Sequence, residues 1–533
     1  MTTSDPTAAI ASARRHGVGD LLHRTARRYP GKLAVVAGDL RATYEEFDVA
    51  VNRAAHTLTD RGLRPGDRLA LLSHNCWQFA VVAFATAKLG VVLVPVNFML
   101  TAPEVAYILR HSGARGIVAE DTLVPTAEKA LAEAGVANAI RGWIGPSGAA
   151  APGGWDGVDG WWRDGPAEAP DVLVGDDDPV RLMYTSGTES RPKGVLLSSR
   201  SLISQYVSCA IDGGMSTDDV EVHALPMYHC SQLDCFFSVD VYLGATSVIL
   251  PGPDPAALLA TIARERVTKL FCPPTVWISL LRHPDFAATD LSSLRKGYYG
   301  ASPMPIEVLR ELQRRLPDVA LWNFYGQTEM APLATILRPH EQLERAGSAG
   351  RAAINVETRV VDVDGVPVPP GTIGEIIVRG PKVSPGYWRD PETTARTRRD
   401  GWFFTGDLAS MDADGYLWFA DRRTDMIRSG GENVASAEIE RVISQHPDVS
   451  EVAVIGVPDP KWEEVPKAYV VARAGSGLTG GDVIAHCSAE LAKFKVPKYV
   501  DVVDDLPRND SGKVLKRLLR DPEGAAAAAA MQV

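Results

Sequence analysis

Hydroxyl groups, glycines and one lysine, Lys193, are concentrated in the segment Thr185–Gly194, which lies between two apolar runs. Backbone N–H groups and a cation in such a loop suit the oxygens of a polyphosphate. The segment is not a Walker A loop, because that loop reads Gly-Lys-Ser/Thr, whereas Lys193 here precedes Gly194. Composition alone leaves two interpretations open, a phosphate-binding loop and a polar hairpin between two strands.

A second segment places a hydroxyl beside a carboxylate, at Thr328 and Glu329, directly after Asn323–Gln327. Magnesium bound to nucleotide phosphates takes one or two protein oxygens, so this pair fits its ligand set. Taken alone, the pair is more simply explained as part of a turn in which the carboxylate of Glu329 has ordinary hydrogen-bond partners. A third segment, Phe403–Asp407, ends a predicted strand with an acid that could accept hydrogen bonds from both ribose hydroxyls.

Two further segments lie nearer the C-terminus. Asp421–Asn433 carries charges and two adjacent glycines at an expected domain boundary. Leu506–Lys513 ends in a lysine on a predicted loop, where a lone lysine is usually a solvated charge. The five segments therefore gain meaning only from their order and separation along one chain.

The elements that would position these segments alternate in type. From Gly17 to Asp176, stretches with helical period are interleaved with short apolar runs, and the same rhythm continues through Val220–Leu250 and Leu270–Tyr299. This alternation predicts an α/β fold with parallel sheets and helices on their faces. The clearest elements are helices Tyr44–Arg61 and Trp77–Leu89 and strands Leu33–Val36 and Arg68–Leu72.

The C-terminal part of the chain has a different pattern. Strands and glycine-marked turns from Arg359 to Phe419 predict a β-rich subdomain that completes a large N-terminal domain, residues 1–423. Residues 424–533 have the size of a small α+β domain. Its predicted elements are helix Ala435–His446, strands Val449–Val457 and Lys467–Arg473, and helix Gly481–Lys493.

Composition narrows the function classes. A chain of 533 residues with a formal net charge of -11 lacks the basic excess of a nucleic-acid binder, so no nucleic-acid partner is expected. The N-terminal residues lack the signal-peptide pattern, and no apolar run reaches the ~18 residues of a membrane span. Six cysteines without C-x-x-C spacing indicate a reducing compartment. We therefore expect a cytoplasmic protein, and a homodimer is left open.

In combination, the five segments resemble the adenylate-forming superfamily of acyl-CoA synthetases, luciferases and nonribosomal peptide adenylation domains, and within it the fatty-acyl-CoA synthetase branch. The resemblance extends over Gly17–Arg520. It implies an ATP-dependent ligase that activates a hydrophobic carboxylic acid as acyl-AMP with release of pyrophosphate. The acid would be a medium- or long-chain fatty acid or a bulky natural-product acid. The acyl group would then pass to coenzyme A, so ATP, Mg²⁺ and CoA are the implied cofactors and co-substrates.

The resemblance assigns roles at the nucleotide site. The loop Thr185–Gly194 would hold the outer phosphates, and Thr328 and Glu329 would contact phosphate and magnesium. Asp407 would bind the ribose with help from Arg422. The other ATP-binding residues that the resemblance implies are Ser186, Gly187, Thr188, Lys193, Gly300, Ala301, Ser302, Tyr325 and Gly326, with Tyr325 stacked on adenine.

The resemblance also assigns the catalytic cation and the thiol site. Lys513 would bridge the substrate carboxylate and the α-phosphate, where a cation stabilises moving charge. The small domain of this family is mobile and rotates between the two half-reactions, which places a hinge at Thr424. The rotation would build a pantetheine tunnel, and the implied CoA-binding residues are Ser429, Gly430, Gly431 and Trp462.

A site for the acid substrate is implied by Leu225–Cys230, which resembles the family's acyl-pocket motif. The implied acyl-binding residues are His229, Gly300 and Gly326, although His229 by itself also fits a core histidine. An amino-acid-activating relative would carry Phe-Asp in place of Tyr228 and His229. An acid without an α-amine is therefore expected, because an unpaired ammonium group is costly to bury.

Two alternatives remain open at this point. An acyl-AMP ligase that delivers to a carrier-protein thiol would share every ATP-binding residue. A non-catalytic acyl or nucleotide binder is disfavoured by the presence of Lys513 and Glu329. The chain departs from the family pattern at Glu189 and Ser190, where Thr-Gly is usual, and at Thr424, where Asp or Lys is usual.

Overall fold

The computed structural model describes residues 6–136, 139–146, 148–185, 192–300, 304–422, 425–429, 432–460, 462–508 and 514–520. The chain divides into two compact units. The first consists of Met1–Glu357 and Val378–Phe403, and the second consists of Thr358–Ile377 and Phe404–Val533. The α/β class expected from the sequence is confirmed, with parallel sheets in the first unit and an α+β arrangement towards the C-terminus.

The strands of the described residues are, in chain order, β1 (Leu33–Ala37), β2 (Leu40–Thr43), β3 (Arg68–Leu72), β4 (Val92–Val96), β5 (Gly116–Glu120), β6 (Ile140–Ile144), β7 (Asp156–Gly157), β8 (Pro179–Thr185), β9 (Lys193–Ser198), β10 (Val220–His223), β11 (Thr246–Ile249), β12 (Lys269–Phe271), β13 (Lys296–Gly300), β14 (Ala320–Gly326), β15 (Leu333–Leu337), β16 (Arg351–Ala352), β17 (Glu357–Val361), β18 (Ile373–Arg379), β19 (Gly386–Tyr387), β20 (Arg398–Arg399), β21 (Trp402–Met411), β22 (Leu417–Arg422), β23 (Ile427–Ser429), β24 (Glu432–Val434), β25 (Val449–Asp459), β26 (Glu463–Ala472) and β27 (Tyr499–Val503).

The α-helices of the described residues are α1 (Pro6–Ala13), α2 (Val18–Arg28), α3 (Tyr44–Asp60), α4 (Trp77–Leu89), α5 (Ala102–Ser112), α6 (Val124–Ala134), α7 (Ser199–Asp212), α8 (Cys230–Gln232), α9 (Ser238–Leu243), α10 (Pro255–Glu265), α11 (Pro274–Arg282), α12 (Ile306–Arg315), α13 (Pro391–Arg396), α14 (Ser436–Ile443), α15 (Gly480–Glu490) and α16 (Lys516–Arg520). Among the described residues, no helix has the length and apolar character needed to span a bilayer.

The first unit is built on two sheets with parallel centres. One has the strand order β16-β15-β14-β13-β12-β10-β11-β1-β2, and its strands from β14 to β1 pair in parallel. The other has the order β19-β9-β8-β4-β3-β5-β6-β7, with antiparallel pairing at β9 and β19. In open sheets of this kind, ligands bind beyond the carboxyl ends of the parallel strands.

Two of the predicted elements in this unit have the bounds expected from the sequence, namely α4 and β3. Every residue of α4 except Gln78 is buried, which explains its apolar composition on all sides. The start of α3 is fixed by a capping box, in which Glu46 accepts from the Thr43 N–H and the Glu46 N–H donates to the Thr43 hydroxyl.

The chain from Cys230 to Leu243 is helical but contains a wider turn. α8 leads into a π-helical segment, Leu233–Phe237, which continues as α9. All five residues of the π segment are buried. Such segments are rare and frequently lie at functional sites. This segment directly follows the predicted acyl-pocket motif, Leu225–Cys230, so the helix is a candidate lining element of the acid site.

In the second unit, β21 pairs antiparallel with β22, and the C-terminal sheet has the order β24-β23-β26-β25 with β27 parallel to β26. The predicted elements there are present with shifted ends. Helix α14 spans Ser436–Ile443, whereas the sequence predicted Ala435–His446. Strand β26 begins at Glu463 because its pairing with β25 continues to the register Asp459 opposite Glu463.

Candidate active site

The hairpin β8–β9 fixes both ends of the predicted phosphate loop. Thr185 lies opposite Lys193, and Tyr184 lies opposite Gly194. The Tyr184 hydroxyl is 2.8 Å from Nδ1 of His111, which holds the end of β8 against α5. The structure therefore shows that the hairpin and the predicted phosphate loop are one feature, because the hairpin strands carry the first residue of the loop and its lysine.

A tyrosine connects this hairpin to the predicted magnesium ligand. The hydroxyl of Tyr387 donates to Oε1 of Glu329 at 2.8 Å, and Nζ of Lys193 lies 6.0 Å from the centre of the Tyr387 ring. β19, which carries Tyr387, pairs with β9 next to the lysine. Burial, reinforced by Glu329, raises the pKa of Tyr387, so its hydroxyl stays protonated and remains a donor. Lys193 and Glu329 are thus brought together from distant parts of the chain.

Arg398 completes this cluster. Its guanidinium donates to the Ser384 hydroxyl at 2.7 Å and lies 5.6 Å from the Tyr387 ring centre. The Ser384 N–H donates to the main-chain oxygen of Glu329 at 2.8 Å. Burial lowers the pKa of Arg398, and Tyr387 and Glu329 oppose that effect. Its Nε is buried without a hydrogen-bond partner in the described part of the chain, so the guanidinium keeps a donor for an anion.

Sequence reasoning missed Ser384, Tyr387 and Arg398. They lie on or beside the two short strands β19 and β20, a stretch that has no local signal for a ligand. The pairing of β19 with β9 places Tyr387 at the site. A search for polar and aromatic residues next to Gly386 could have singled out Tyr387. It could not have identified Glu329 as its partner, because the two residues are 58 positions apart.

Thr328 contacts the start of the helix that carries the π segment. Its Oγ1 lies 3.2 Å from Sγ of Cys230. Burial raises the pKa of the Cys230 thiol to about 12, so this cysteine is protonated at neutral pH and is no nucleophile. The structure therefore joins two predicted motifs, the Thr-Glu pair and the acyl-pocket motif, through a thiol–hydroxyl contact.

His229 has a local structural task at this position. Its Nδ1 accepts from the Ser231 N–H at 3.1 Å and lies 2.7 Å from the Ser231 hydroxyl, so the ring caps α8. An accepting Nδ1 places the proton of a neutral imidazole on Nε2. The contact with an acyl group that the resemblance implies for His229 stays a prediction.

Two glycines of the predicted site are required by the backbone. A Cβ at Gly300 would lie 2.5 Å from the main-chain oxygen of Phe324 on the neighbouring strand, and a Cβ at Gly326 would lie 1.8 Å from that of Pro332. The close approach of two backbone segments therefore explains why glycine is needed at both positions, without any role for a ligand. Their implied contacts with adenine and acid, and that of Tyr325, stay predictions.

In the second unit, Asp407 lies in the middle of β21, whereas the sequence predicted that a strand ends at this residue. Gly406 has a φ of +74°, a conformation that favours glycine, and its N–H donates to Oε1 of Glu375 at 2.9 Å. The Asp407 N–H donates to the Thr405 hydroxyl at 3.1 Å. Asp407 lies opposite Arg422 in the pairing of β21 with β22. The two residues predicted to bind ribose are therefore neighbours across one strand pair.

The predicted CoA residues lie around β23 in the same unit. Ser429 pairs with Glu432 of β24 and with Glu463 of β26. Trp462, next to Glu463, is 43% exposed, and its N–H donates to Oδ1 of Asp459. Ser429 and Trp462 thus lie at adjoining strand ends, and an exposed indole suits a contact with a ligand.

The segment that carries Lys513 has fixed ends. Arg508 and Val514 form an antiparallel bridge, and the Leu515 N–H donates to the Pro507 oxygen at 2.7 Å. These pairs hold the flanking residues of the segment together. Several predicted site residues lie outside the described residues, and their roles stay predictions: Ser186, Gly187, Thr188, Ala301, Ser302, Thr424, Gly430, Gly431 and Lys513.

A buried group of potential metal ligands lies elsewhere in the first unit, formed by Glu221, His223 and Asp240. Lys269 lies inside it, with Nζ 2.8 Å from Oε2 of Glu221 and hydrogen-bonded to Asp240. The ammonium group therefore supplies the cation, and the group is a buried charge network.

Two models of known protein families match this chain. The AMP-binding enzyme family matches residues 22–388, and the AMP-binding enzyme C-terminal domain matches residues 438–513. The chain therefore belongs to the AMP-binding enzyme family of the adenylate-forming superfamily.

Individual relatives define the activity more closely. A feruloyl-CoA synthase from an Amycolatopsis species is 40% identical over 95% of this chain and 99% of its own length. The long-chain-fatty-acid–CoA ligase FadD13 of Mycobacterium tuberculosis is 35% identical over 95% of this chain and 99% of its own. ATP-bound MatB from Rhodopseudomonas palustris superimposes with a TM-score of 0.87 at 32% identity, covering 95% of this chain and 98% of MatB. The protein is an ATP-dependent acid–thiol ligase that forms acyl-CoA through an acyl-AMP.

Proposed function

We propose that the ligase carries out adenylation at the cluster that joins Lys193, Glu329 and Tyr387. The observation that carries this proposal is the Tyr387–Glu329 hydrogen bond beside the phosphate-loop hairpin. Glu329, the proposed ligand of magnesium, is bonded to the hydroxyl of this ring, and Lys193, the proposed cation for phosphate, lies 6.0 Å from the ring centre. Arg398, with its free Nε donor, adds positive charge to the same place.

On the phosphate side, Thr185 and Lys193 would hold the outer phosphates together with Ser186, Gly187 and Thr188. Thr328 and Glu329 would bind Mg²⁺, which neutralises phosphate charge when it is bound. The donor set fits this ion, because a hydroxyl and a carboxylate oxygen are hard ligands and Tyr387 takes up only one oxygen of Glu329 by its hydrogen bond.

On the nucleoside side, Asp407 would accept hydrogen bonds from the ribose hydroxyls, with Arg422 beside it on the paired strand. Tyr325 would stack on adenine. The backbone at Gly300, Ala301, Ser302 and Gly326 would lie against the base and the acid.

The acid is proposed to be a hydrophobic carboxylic acid without an α-amine. Its carboxylate attacks the α-phosphorus in line, a P–O bond forms, and the bond to pyrophosphate breaks. Lys513 would stabilise the charge that develops between the two oxygens. The CoA thiol then attacks the acyl carbonyl, and AMP leaves.

A change of domain orientation would separate the two half-reactions. We propose a functional division into residues 1–423 and 424–533 with a hinge at Thr424. In the second orientation, Ser429, Gly430, Gly431 and Trp462 would contact pantetheine. The cysteines of the described chain are free, which fits the reducing cytoplasm proposed for the enzyme.

The test is the substitution Lys513→Ala. ATP–pyrophosphate exchange should fall by at least about 10²-fold, as expected when one transition-state charge contact is lost. Thioester formation from a supplied acyl-adenylate should persist. Lys493→Ala, at an exposed lysine of the same unit, is the matched control and should leave both steps unchanged. Near-normal exchange in Lys513→Ala would contradict the assignment.

A further inference from the structure

Aromatic side chains form a continuous group on one face of the sheet that contains β12, β13 and β14. The strand register places Phe271 opposite Tyr298 and Tyr298 opposite Trp322. Residues opposite each other in neighbouring strands share a face, as do residues two apart along one strand, such as Trp322 and Phe324. We call the group the aromatic block, and it consists of Phe236 from the π segment, Phe271, Tyr298, Trp322 and Phe324.

The aromatic block is densely packed. Phe236 stacks between Phe271 and Phe324, with ring centroids 4.3 and 5.8 Å away and interplanar angles of 13° and 17°. Tyr298 lies 5.0 Å from Trp322 and 5.3 Å from both Phe236 and Phe324. No residue of the block is more than 9% exposed. The rings therefore form a closed wall.

Hydrogen bonds fix two rings of this wall. The Tyr298 hydroxyl donates to the Gly213 oxygen at 2.6 Å, and Nε1 of Trp322 donates to the Asp212 oxygen at 3.1 Å. Both acceptors lie where α7 ends. A ring held by stacking and by a buried hydrogen bond cannot move aside without leaving that acceptor unpaired. The wall therefore resists displacement by a ligand.

Two segments of the chain connect the wall to the candidate site over a short distance. Phe236 follows Cys230 in the same helical stretch, and Sγ of Cys230 is 3.2 Å from the Thr328 hydroxyl. Phe324 precedes Thr328 by four residues, which is at most about 13 Å of extended chain. A Cβ at Gly300 would lie 3.7 Å from Cβ of Phe324. The wall therefore lies within about 13 Å of Thr328.

We infer that the aromatic block is the inner wall of the acid site and makes the enzyme prefer compact carboxylic acids, aryl acids in particular, over long-chain fatty acids. The inference rests on the proposed function, because it places the reacting carboxyl beside Thr328. An aryl acid can meet stacked rings face-on or edge-on, which is a favourable contact for aromatic pairs. A long alkyl chain would have to displace rings from a closed core.

The first test measures acid preference in the full-length enzyme. ATP–pyrophosphate exchange is followed with cinnamate, phenylacetate, octanoate and palmitate, and the CoA thioesters are identified by mass. We expect kcat/KM for cinnamate to exceed that for palmitate by at least about tenfold, within the range that pocket size alone can produce. A kcat/KM for palmitate equal to or above that for cinnamate would overturn the inference.

The second test opens the wall with Phe236→Leu, which removes the middle ring of the stack and keeps apolar packing. The ratio of kcat/KM for palmitate to that for cinnamate should rise at least about fivefold, with KM for ATP unchanged. Phe286→Leu, at a buried phenylalanine outside the block, is the matched control and should leave the ratio unchanged. A folded Phe236→Leu enzyme with an unaltered ratio would overturn the inference.

Failure of the inference and failure of the proposed function give different results. If no acid supports exchange in the wild-type enzyme, the proposed function fails. If palmitate supports exchange best, adenylation stands and the wall assignment alone is wrong.

Discussion

Two lysines of the first unit are equally buried and have opposite electrostatic surroundings. Lys269 of β12 and Lys382, which precedes β19, are both 0% exposed. Nζ of Lys269 lies 2.8 Å from a Glu221 oxygen and is hydrogen-bonded to Asp240. Nζ of Lys382 lies 3.3 Å from the hydroxyl of Ser208, a neutral partner. The same residue type is thus buried once with two carboxylates and once with a hydroxyl.

The pKa values of the two lysines move in opposite directions. Burial alone would lower the pKa of Lys269, but Asp240 and then Glu221 outweigh it and raise the pKa above its usual range. Burial lowers the pKa of Lys382 to about 8, and the nearby Cys209, Cys235 and Asp212 offset it only in part. The neighbours of a buried amine, more than its burial, therefore decide whether its charge holds the fold together or strains it.

The largest effect should follow from breaking the network of Lys269. Lys269→Met leaves Glu221 and Asp240 buried without their cation, and removing one partner of such a group typically costs about 3–5 kcal/mol. The free energy of unfolding, measured by urea denaturation at pH 7, should fall by that amount. Burial already raises the pKa of Glu221, so its protonation in the variant would limit the loss.

The control for Lys269→Met is an exposed ion pair in the same unit. Arg310 and Glu307 on α12 are 2.7 Å apart, with side chains 56% and 77% exposed. Arg310→Met should leave the unfolding free energy almost unchanged, because water and salt screen such pairs. Equal losses in the two variants would show that burial adds nothing to the role of Lys269.

Lys382→Met should raise the free energy of unfolding, whereas Lys269→Met lowers it. A folded-state pKa of about 8 against the usual 10.5 corresponds to about 3 kcal/mol of destabilisation at neutral pH, because both folded and unfolded chains are then protonated. Methionine has a similar length and no charge, so the variant should be more stable than the wild type by about that amount at pH 7.

The pH dependence provides the check on Lys382. Between about pH 8 and 10.5, the folded lysine has lost its proton and the unfolded one has kept it, so the unfavourable contribution disappears as pH rises. The advantage of Lys382→Met in urea denaturation should therefore shrink through this window. A difference between wild type and variant that stays constant from pH 7 to 10 would contradict the lowered pKa.

Neither lysine could be interpreted correctly from the sequence. Both lie in short segments, Lys269 in β12 and Lys382 between β18 and β19, where periodicity does not show whether a carboxylate from another element is present. Glu221 reaches Lys269 only because β10 and β12 are neighbours in the sheet, and Asp240 comes from α9. Elements with a strong local pattern, such as α4 and β3, could be predicted to the residue.

In the candidate site, too, local sequence patterns could be recognised, whereas contacts between distant segments could not. The motifs around Thr328, Glu329, Lys193 and Asp407 could be singled out because their residue types, order and separation along the chain follow one family pattern. Contacts between motifs could not be found, since the Tyr387–Glu329 and Cys230–Thr328 pairs depend on strand order and helix placement. Backbone packing explains Gly300 and Gly326 for a reason that spacing alone does not show.

The smallest effect concerns the hydroxyl that faces Lys382. Ser208→Ala removes the acceptor of the buried ammonium, and the loss of a hydrogen bond to a charged group should cost about 1–2 kcal/mol at pH 7. The Ser208 hydroxyl also lies within hydrogen-bond distance of the main-chain oxygens of Ile354 and Ser204, and it can donate to one of them at a time, so the single variant mixes several losses. A double-mutant cycle separates them, because Lys382→Met removes only the contact with the ammonium. Ser208→Ala should therefore cost less in the Lys382→Met background than in the wild type. The same cost in both backgrounds would mean that the hydroxyl does not support the lysine, and that Lys382 is buried without any polar stabilisation from Ser208.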